Sequence, residues 1–324
     1  MRYRALPITT RVLGRVSRLM IVLGALVMLL AQTGTSAQSY ASGQPVWPAF
    51  EGWEKNDDGS FTFLFGYMND NWEEEIDVPI GPGNSFEPGV PDRGQPTHFL
   101  PRRNRFIFRV RVPADFGAKE MIWTLTTQGK TQKVFASLRI DSLIENIDIM
   151  SETGALGAGV SNPEIRADKP PEVTIEGGKT RTAKAGEPLT LVVTVKDDGV
   201  PRARSQTQPQ TPPTPAASAR IREQMMSPPY RPTVNKAVGL HQSWFVYRGA
   251  GNVTFDPSQI KVWEDTRIGA NSPWAPFWTP PPLIADGKYT TRVTFDAPGT
   301  YVLRARADDG ALTGDDELTV TVTR

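Results

Sequence analysis

Apolar and polar residues alternate with a period of two along much of the chain, a pattern that predicts half-buried β-strands. In the first half, Phe61–Tyr67 carries four aromatic rings on one face. A second stretch has apolar residues facing one way and arginines the other: Phe106, Phe108, Val110 and Val112 against Arg105, Arg109 and Arg111. Met121–Thr127 and Lys133–Leu138 predict a hairpin that turns at Gln128–Gly129. Residues 46–149 are therefore expected to form a β-rich domain, in which the Gly- and Pro-rich stretch 79–101 is a long loop.

The second half of the chain shows the same alternation more clearly. Seven strands are predicted, around Val173 and Ile175 and at Leu189–Val195, Trp244–Tyr247, Val253–Phe255, Thr291–Phe295, Tyr301–Ala307 and Leu318–Val322. Turn tripeptides rich in Asp, Pro and Gly separate several of them: 197–199, 297–299 and 308–310. Short alternating strands with such turns are typical of a two-sheet sandwich. The predicted fold is all-β, with a second domain at 172–324 and a linker at 150–171.

One segment interrupts the second domain. Residues 200–233 are rich in Pro, Gln, Ser and Thr and carry mostly arginine as charge. Such a composition cannot supply a core, so the segment is predicted to be a disordered, partly polyproline insertion.

The second domain resembles the PKD and related immunoglobulin-like modules of bacterial secreted proteins. The resemblance rests on residues 185–191 (AGEPLTL) running into Asp197-Asp198-Gly199, on Trp244, on residues 294–303 (TFDAPGTYVL), and on 308–310 leading into 318–322. It implies a sandwich in which Trp244 is a core residue and Tyr301 forms a tyrosine corner, and a role in protein or carbohydrate contacts or as a spacer. The sequence departs from typical PKD domains at Trp244–Gly249, where their Trp-Asp-Phe-Gly-Asp motif is missing. Residues 46–149 resemble no characterised family.

The N-terminus has the pattern of a secretory leader. A basic stretch precedes the apolar run Leu19–Ala31, and Thr35-Ser36-Ala37 supplies the small residues of a cleavage site. The run is too short to span a bilayer as a helix. We therefore predict a signal peptide at 1–37, a linker at 38–45, and a mature protein in the periplasm or outside the cell, with no integral membrane span.

Composition narrows the function further. The formal net charge of +1 includes five leader arginines and no leader acid, so cleavage leaves −4. A mildly acidic chain is a poor candidate for binding nucleic acid. Cysteine is absent and there are only two histidines, His98 and His241, which excludes disulfides, thiolate sites and three-histidine zinc sites. No cofactor is predicted, each histidine is interpreted as a packing or hydrogen-bonding residue, and no Gly-x-Ser-x-Gly elbow supports a Ser-His-Asp triad.

Acidic residues offer two kinds of chemistry. Adjacent pairs could cleave glycosidic bonds if correctly separated: Glu73–Glu75, Asp57–Asp58 and Asp315–Asp316. Six aspartates could gather at one end of the sandwich and bind calcium: Asp197, Asp198, Asp308, Asp309, Asp315 and Asp316. Ordinary turn and strand-end chemistry explains both sets, so neither a catalytic nor a metal site is assigned.

The aromatic stretch at 263–282 is the strongest binding candidate. Trp274, Phe277 and Trp278 lie among prolines, which predicts irregular backbone that cannot join a strand ladder. Rigid rings suit sugar stacking or a protein hot spot; alternatively, they fold back against the first domain. Arg102, Arg103, Arg105, Arg109 and Arg111 suggest an anionic partner, or a solvated face paired with Glu73–Glu75.

The sequence thus favours a non-enzymatic exported protein that binds a protein or glycan at the cell envelope or outside, with Trp274, Phe277 and Trp278 as contact residues. A carbohydrate-binding protein that uses the aromatic loop and a polysaccharide-acting enzyme are the alternatives. The oligomeric state is not predicted.

Overall fold

The computed structural model describes residues 41–152, 163–202, 233–234, 240–260, 262, 277–278 and 286–324. Within this range the protein is all-β. An N-terminal module contains β1 (Val46–Lys55), β2 (Phe61–Asn69), β3 (Ile76–Asp77), β4 (Asn84–Glu87), β5 (His98–Phe99), β6 (Arg102–Val112), β7 (Met121–Thr127) and β8 (Lys130–Ala136). Three sheets have the orders β1-β2-β6, β4-β7-β8 and β3-β5.

The predicted β7–β8 hairpin is confirmed, and its turn shows why these two residues stand there. Gln128 and Gly129 have φ values of 48° and 71°. Positive φ at both central residues is what a tight two-residue hairpin turn requires. Four strands of this module were not predicted, however: β1, β3, and the short β4 and β5 inside the stretch that was expected to be a loop.

The prediction that Phe106 shares a face with Phe108, Val110 and Val112 was wrong, because β6 contains a bulge. The register between β2 and β6 shifts between Phe65 and Tyr67, and Phe106 has a φ of 52°. Phe108, Val110 and Val112 point into the module's core as expected, but Phe106 packs on the other side. Extra residues in a bulge reverse the alternation of side chains, which no period-two pattern can reveal.

The C-terminal sandwich follows a segment with a 3-10 turn at Ile140–Ser142 and two short helices, Asn146–Glu152 and Pro163–Arg166. Its strands are β9 (Glu172–Ile175), β10 (Thr180–Lys184), β11 (Leu189–Lys196), β13 (His241–Arg248), β14 (Val253–Asp256), β16 (Lys288–Phe295), β17 (Gly299–Asp308) and β18 (Thr313–Thr323). Two further strands of two residues each, β12 (Thr233–Val234) and β15 (Phe277–Trp278), form a sheet of their own. All seven predicted strands are present. The strand β10, with its polar sequence TRTAK, was missed.

The sheet order is that of an immunoglobulin domain. One sheet runs β14-β16-β11-β9 and the other β10-β18-β17-β13, with β10 parallel to β18. Counted without β10 and the two-residue strands β12 and β15, the first sheet contains the fourth, fifth, second and first strands of the fold, and the other contains the third, sixth and seventh. Trp244 is buried in the core, and the Tyr301 hydroxyl lies 2.9 Å from the carbonyl oxygens of both Ala250 and Ala297. The predicted core tryptophan and tyrosine corner are thus confirmed.

The two β-rich parts pack against each other, and residues 40–324 belong to one compact unit. On β13, Trp244 and Val246 face the sandwich core while Phe245 and Tyr247 join the core of the N-terminal module. The sheet that contains β13 and β17 is therefore covered on both sides. The division into separate domains at 46–149 and 172–324 stays a prediction.

Candidate functional site

The predicted contact residues fall partly outside the described structure. Trp274 lies outside the described residues, as do the side chains of Phe277 and Trp278. The backbone of Phe277 and Trp278 forms β15 and pairs in parallel with β12. The expectation that these residues could not join a ladder was therefore wrong, because prolines at 276 and 280 leave room for a two-residue strand between them.

Strand directions show that the long connections leave the sandwich at one end. Thr194, near the end of β11, pairs with Lys288 at the start of β16, and Lys196 pairs with Glu172 at the start of β9. Gly314, at the start of β18, lies so close to the carbonyl of Pro171 that a Cβ would not fit between them. We call this the loop end. It bears the connections β11–β13, β14–β16 and β17–β18 and the segment before β9, so β12 and β15 both belong to connections that start there.

Aspartates gather at the loop end, as the sequence suggested. Asp197 and Asp198 follow β11, Asp308 and Asp309 stand at the end of β17, and Asp168, which was not predicted, precedes β9. Asp168 and Asp309 are only 4% and 2% exposed. Asp168 interacts electrostatically with Asp197, Asp198 and Asp309, so three separate chain segments bring their carboxylates together. Asp168 was missed at the level of sequence because it lies alone in the predicted linker.

Burial and like charge shift the titration of this group. Burial, with the neighbouring Asp198 and Asp197, raises the pKa of Asp168 to about 7 against a small opposing effect of the adjacent backbone. Burial also raises the pKa of Asp309 to about 8; the N–H groups of Leu312 and Ala311 oppose the shift, and Asp168 and Asp308 add to it. Burial raises the pKa of Asp197 as well. Burial thus disfavours the charged state of all three carboxylates.

Asp315 and Asp316, the other two of the six aspartates considered for calcium, have hydrogen-bond partners of their own. Asp315 accepts hydrogen bonds from the Arg306 guanidinium at 2.7 and 2.8 Å. Asp316 accepts one from the backbone N–H of Ile175 at 2.8 Å and pairs with Lys179. Neither interacts with the acidic group at the loop end in the way that Asp168 does. In the described part of the chain, no three imidazole or carboxylate groups already surround a common point as metal ligands do.

The arginine-rich strand is paired, but not with the acids that were expected. Arg103 contacts Glu51 at 2.7 Å, Arg111 pairs with Asp58, and Arg109 lies 3.9 Å from Glu54. These acids come from β1 and the following turn, because β1 lies beside β2 in the same sheet as β6. The pairing with Glu73–Glu75 was wrong for these three, since β1 had not been predicted.

His98 is held between two carboxylates. Its Nδ1 lies 2.8 Å from Asp77 Oδ1 and its Nε2 lies 3.0 Å from Glu75 Oε2, and the residue is 6% exposed. Burial alone would lower the pKa of His98, but the hydrogen bonds and charges of Asp77 and Glu75 outweigh it and raise the pKa to about 9. Both ring nitrogens are engaged, so neither is available as the base for a serine hydroxyl.

Comparisons with known proteins give only distant structural similarity. No family model and no curated protein matches the chain. The solved structures it resembles include a chimeric titin Z1Z2 (10% identity, 87% of this chain and 98% of that one, TM-score 0.22). They also include the D00-D0 domain of intimin (13%, 86% and 100%, 0.23) and the S-layer protein rSbsC (10%, 86% and 28%, 0.22). At such TM-scores the fold assignment rests on the strand order alone. Among the described helices, none has the length and apolar character needed to cross a membrane.

Proposed function

We propose that this is a non-enzymatic exported protein that binds another macromolecule at the cell envelope or outside the cell, with Trp274, Phe277 and Trp278 as contact residues. The observation that carries the proposal is the pairing of β12 with β15. Two long connections that leave the same end of the sandwich are joined by this parallel ladder, so Phe277 and Trp278 stand on hydrogen-bonded backbone.

Immunoglobulin-type sandwiches favour this arrangement for binding. Their loops cluster at the two ends of a rigid scaffold and are free to vary, and recognition residues are commonly carried there. Large aromatic side chains contribute most at such surfaces, because each removes a large apolar area from water with few rotamers to restrict. The outer face of the sheet that contains β13 and β17 is not open to a partner, since the N-terminal module covers it.

Candidate catalytic groups in the described residues already have structural partners, which supports a non-enzymatic role. Each adjacent acidic pair that could cleave a glycosidic bond contains a member bound elsewhere. Glu75 holds His98, Asp58 accepts hydrogen bonds from Ser60, and Asp315 holds Arg306. A general acid needs a raised pKa and a substrate within reach, whereas Arg306 and Arg304 lower the pKa of Asp315 against the effect of burial.

The location follows from the leader. The apolar run at 19–31 and the small residues before position 38 support export and cleavage near Ala37. PKD-type membership of the sandwich remains part of this proposal, as does the absence of a cofactor. The insertion predicted at 200–233 lies outside the described residues except at 200–202 and 233.

Paired tryptophan substitutions test the proposal. Trp274→Ala together with Trp278→Ala should weaken binding about tenfold or more, since hot-spot aromatics dominate interface energies. Binding would be measured in two arms: a glycan array with cosedimentation on peptidoglycan, cellulose and chitin, and photo-cross-linking from position 277 in the envelope of the producing cell. The first arm responds to a glycan and the second to a protein.

Trp47→Ala is the matched control, because the Trp47 ring is 39% exposed in the N-terminal module and donates to Asp70 Oδ2 at 2.7 Å. It should leave binding unchanged. Binding by the double variant at the level of the unmodified protein would refute the proposed contact residues. A large drop in its melting temperature would instead assign the rings to covering the protein's own surface.

A further inference from the structure

Strand β8 has a free edge. It is the last strand of the sheet β4-β7-β8, it pairs with β7 alone, and the nearby β1 forms no ladder with it. In a hairpin with a two-residue turn, the pair that closes the turn, here Thr127 and Lys130, is hydrogen-bonded, and bonded pairs then alternate with unbonded ones. Thr131, Lys133 and Phe135 are therefore the residues of β8 whose backbone N–H and C=O groups point away from β7.

A hydrogen bond on the far side of β7 supports this assignment. Thr126 lies opposite Thr131, and its N–H donates to the Gly83 carbonyl, at 2.8 Å, on the side of β4. The Thr126–Thr131 pair is thus an unbonded one, and so are the pairs that involve Lys133 and Phe135. Within the described residues, no group is hydrogen-bonded to the backbone N–H or C=O of these three residues of β8. Such a row of unpaired groups is a template for a further strand.

The side chains along the same edge are open to solvent. Thr131, Lys133 and Phe135 are all exposed, and Phe135 is 53% exposed although its ring is large and apolar. Val134, between them, points to the other face and packs against the core of the N-terminal module. A strand added beside β8 would cover part of the Phe135 ring and satisfy the free backbone groups at the same time, which is how strand addition binds extended peptides.

The charge of β8 indicates which kind of strand fits. The strand carries two lysines, Lys130 and Lys133, and no acidic residue. Lysine in an edge strand opposes pairing with a second copy of the same edge, because the like charges repel each other. An acidic residue opposite Lys133 has the reverse effect, since oppositely charged side chains across a ladder attract each other. The lysines therefore disfavour self-association and favour an acidic segment.

We propose that the free edge of β8 binds an extended segment of a protein partner in antiparallel alignment, with an acidic residue opposite Lys133 and apolar residues opposite Phe135 and Val134. The antiparallel direction is the more stable one per residue and matches the other ladders of this module. This surface involves none of the aromatic contact residues proposed above. It is thus a second contact surface, which does not depend on the first.

Amide exchange measured by NMR on the full mature chain tests the proposal. The probe is a synthetic peptide with blocked ends and the sequence Thr-Val-Val-Glu-Thr-Thr. On binding, exchange should slow at Thr131, Lys133 and Phe135 and change little at Gln132 and Val134, whose N–H groups are already bonded to β7. This alternation is specific to strand addition, because a ligand that merely covered the surface would protect neighbouring residues alike. Absence of any slowing at about 5 mM peptide, well above a millimolar Kd, overturns the proposal.

A charge reversal tests the choice of partner. The unmodified protein should bind the glutamate peptide at least about threefold more tightly than the same peptide with lysine in its place, and Lys133→Glu should invert this preference. Lys119→Glu, at an exposed lysine outside β8, is the matched control and should leave the preference unchanged. Equal affinity of the two peptides for the unmodified protein and for Lys133→Glu overturns the proposal. Loss of peptide binding in the Trp274→Ala, Trp278→Ala double variant would place the peptide at the aromatic residues and overturn it as well.

Proline at the same position tests the backbone contact. Lys133→Pro removes an N–H that the ladder with β7 does not use, so the hairpin should still form, and proline is tolerated at such edge positions. It should weaken peptide binding about tenfold relative to Lys133→Gln, which lacks the charge but keeps the N–H. Equal binding by these two variants overturns the proposal. So does a dimer of the unmodified protein, found by analytical ultracentrifugation, that Lys133→Pro abolishes, because the edge then belongs to a second copy.

Discussion

Single residues in the sandwich core take the place of the disulfide found in many immunoglobulin domains. The chain has no cysteine, and Leu303 stands two residues after the corner tyrosine, the position that antibody-type domains give to the second cysteine. Leu303, Val193 and Trp244 are each no more than 1% exposed and belong to one core. The core is therefore held by close packing around Trp244 and by the hydroxyl of Tyr301, without a cross-link.

Tyr301→Phe tests the corner. The hydroxyl lies 2.9 Å from two carbonyl oxygens and donates to one of them at a time. Its removal leaves these part-buried carbonyl oxygens without that donor, so the free energy of unfolding should fall by about 1 kcal/mol. Urea denaturation measures it. Tyr289→Phe is the control, because no hydrogen bond of its hydroxyl is found among the described residues, and it should cost less than about 0.5 kcal/mol. Equal losses in the two variants would show that the corner hydrogen bond does not stabilise the sandwich.

At the scale of elements, the sequence predicted what depends on local pattern and missed what depends on a distant partner. Strands with clear alternation, such as β11 and β17, were found. Strand β10 was missed because its residues TRTAK are mostly polar, and it is stabilised by parallel pairing with β18 far along the chain. Strand β13 carried an unused signal: Trp244 to Tyr247 is apolar on both faces, which indicates burial on both sides.

The candidate site was predictable to the same degree. The turns with Asp197, Asp198, Asp308 and Asp309 were recognised, because Asp-Gly sequences are strong local signals. Asp168 was not, since its importance arises only when the segment before β9 meets the end of β17. The same limit applies to Arg304 and Arg306. The alternation along β17 predicts that both lie on its outward face, but it does not predict the module that covers that face.

Arg304 lies in the junction between the two β-rich parts, and its substitution tests the packing there. It is 5% exposed, its Cζ lies 3.5 Å from the Tyr247 ring centroid, and it pairs with Glu317 and donates to the Ile107 carbonyl. Arg304→Ala removes contacts across the junction and leaves acceptors unpaired, so it should lower the free energy of unfolding by about 3 kcal/mol. Urea denaturation followed by fluorescence measures this loss.

Arg292→Ala provides the matched comparison, because Arg292 also pairs with an acid, Asp256, but both side chains are more than half exposed. Exposed pairs contribute less than about 1 kcal/mol. A similar loss in both variants would show that Arg304 contributes as a surface charge and not as part of the junction.

On the scale of the whole molecule, the two β-rich parts are joined by backbone hydrogen bonds and an ion pair as well as by apolar packing. Thr97 N–H donates to the Tyr247 carbonyl at 3.2 Å, and Gly249 N–H donates to the Thr97 hydroxyl at 3.1 Å. Arg248 forms two hydrogen bonds with Asp92, at 2.7 and 2.9 Å. Thr97 directly precedes the buried His98 of β5. We therefore expect the protonation of the His98 ring to affect the contact between this segment and the sandwich.

The pH dependence of stability should therefore report on His98. Asp77 and Glu75 raise its folded-state pKa to about 9, against an ordinary value of 6.5. A raised pKa means that the folded state holds the proton more tightly than the unfolded state. The resulting stabilisation is fully present below pH 6.5 and is lost as pH rises through 9. A shift of this size amounts to about 3 kcal/mol in the free energy of unfolding.

His98→Gln isolates this contribution, because it removes the titrating group while keeping a donor for one carboxylate. The variant should be less stable than the unmodified protein at about pH 6, and the gap should close by about pH 10. The raised pKa values of Asp309 and Asp168 also lower the free energy of unfolding as pH rises, but equally in the variant and the unmodified protein. The difference between their stabilities at each pH, measured by urea denaturation, therefore reports on His98. Parallel stability curves across that range would show that the ring is neutral in the folded protein and that its two carboxylates do not hold a charge pair.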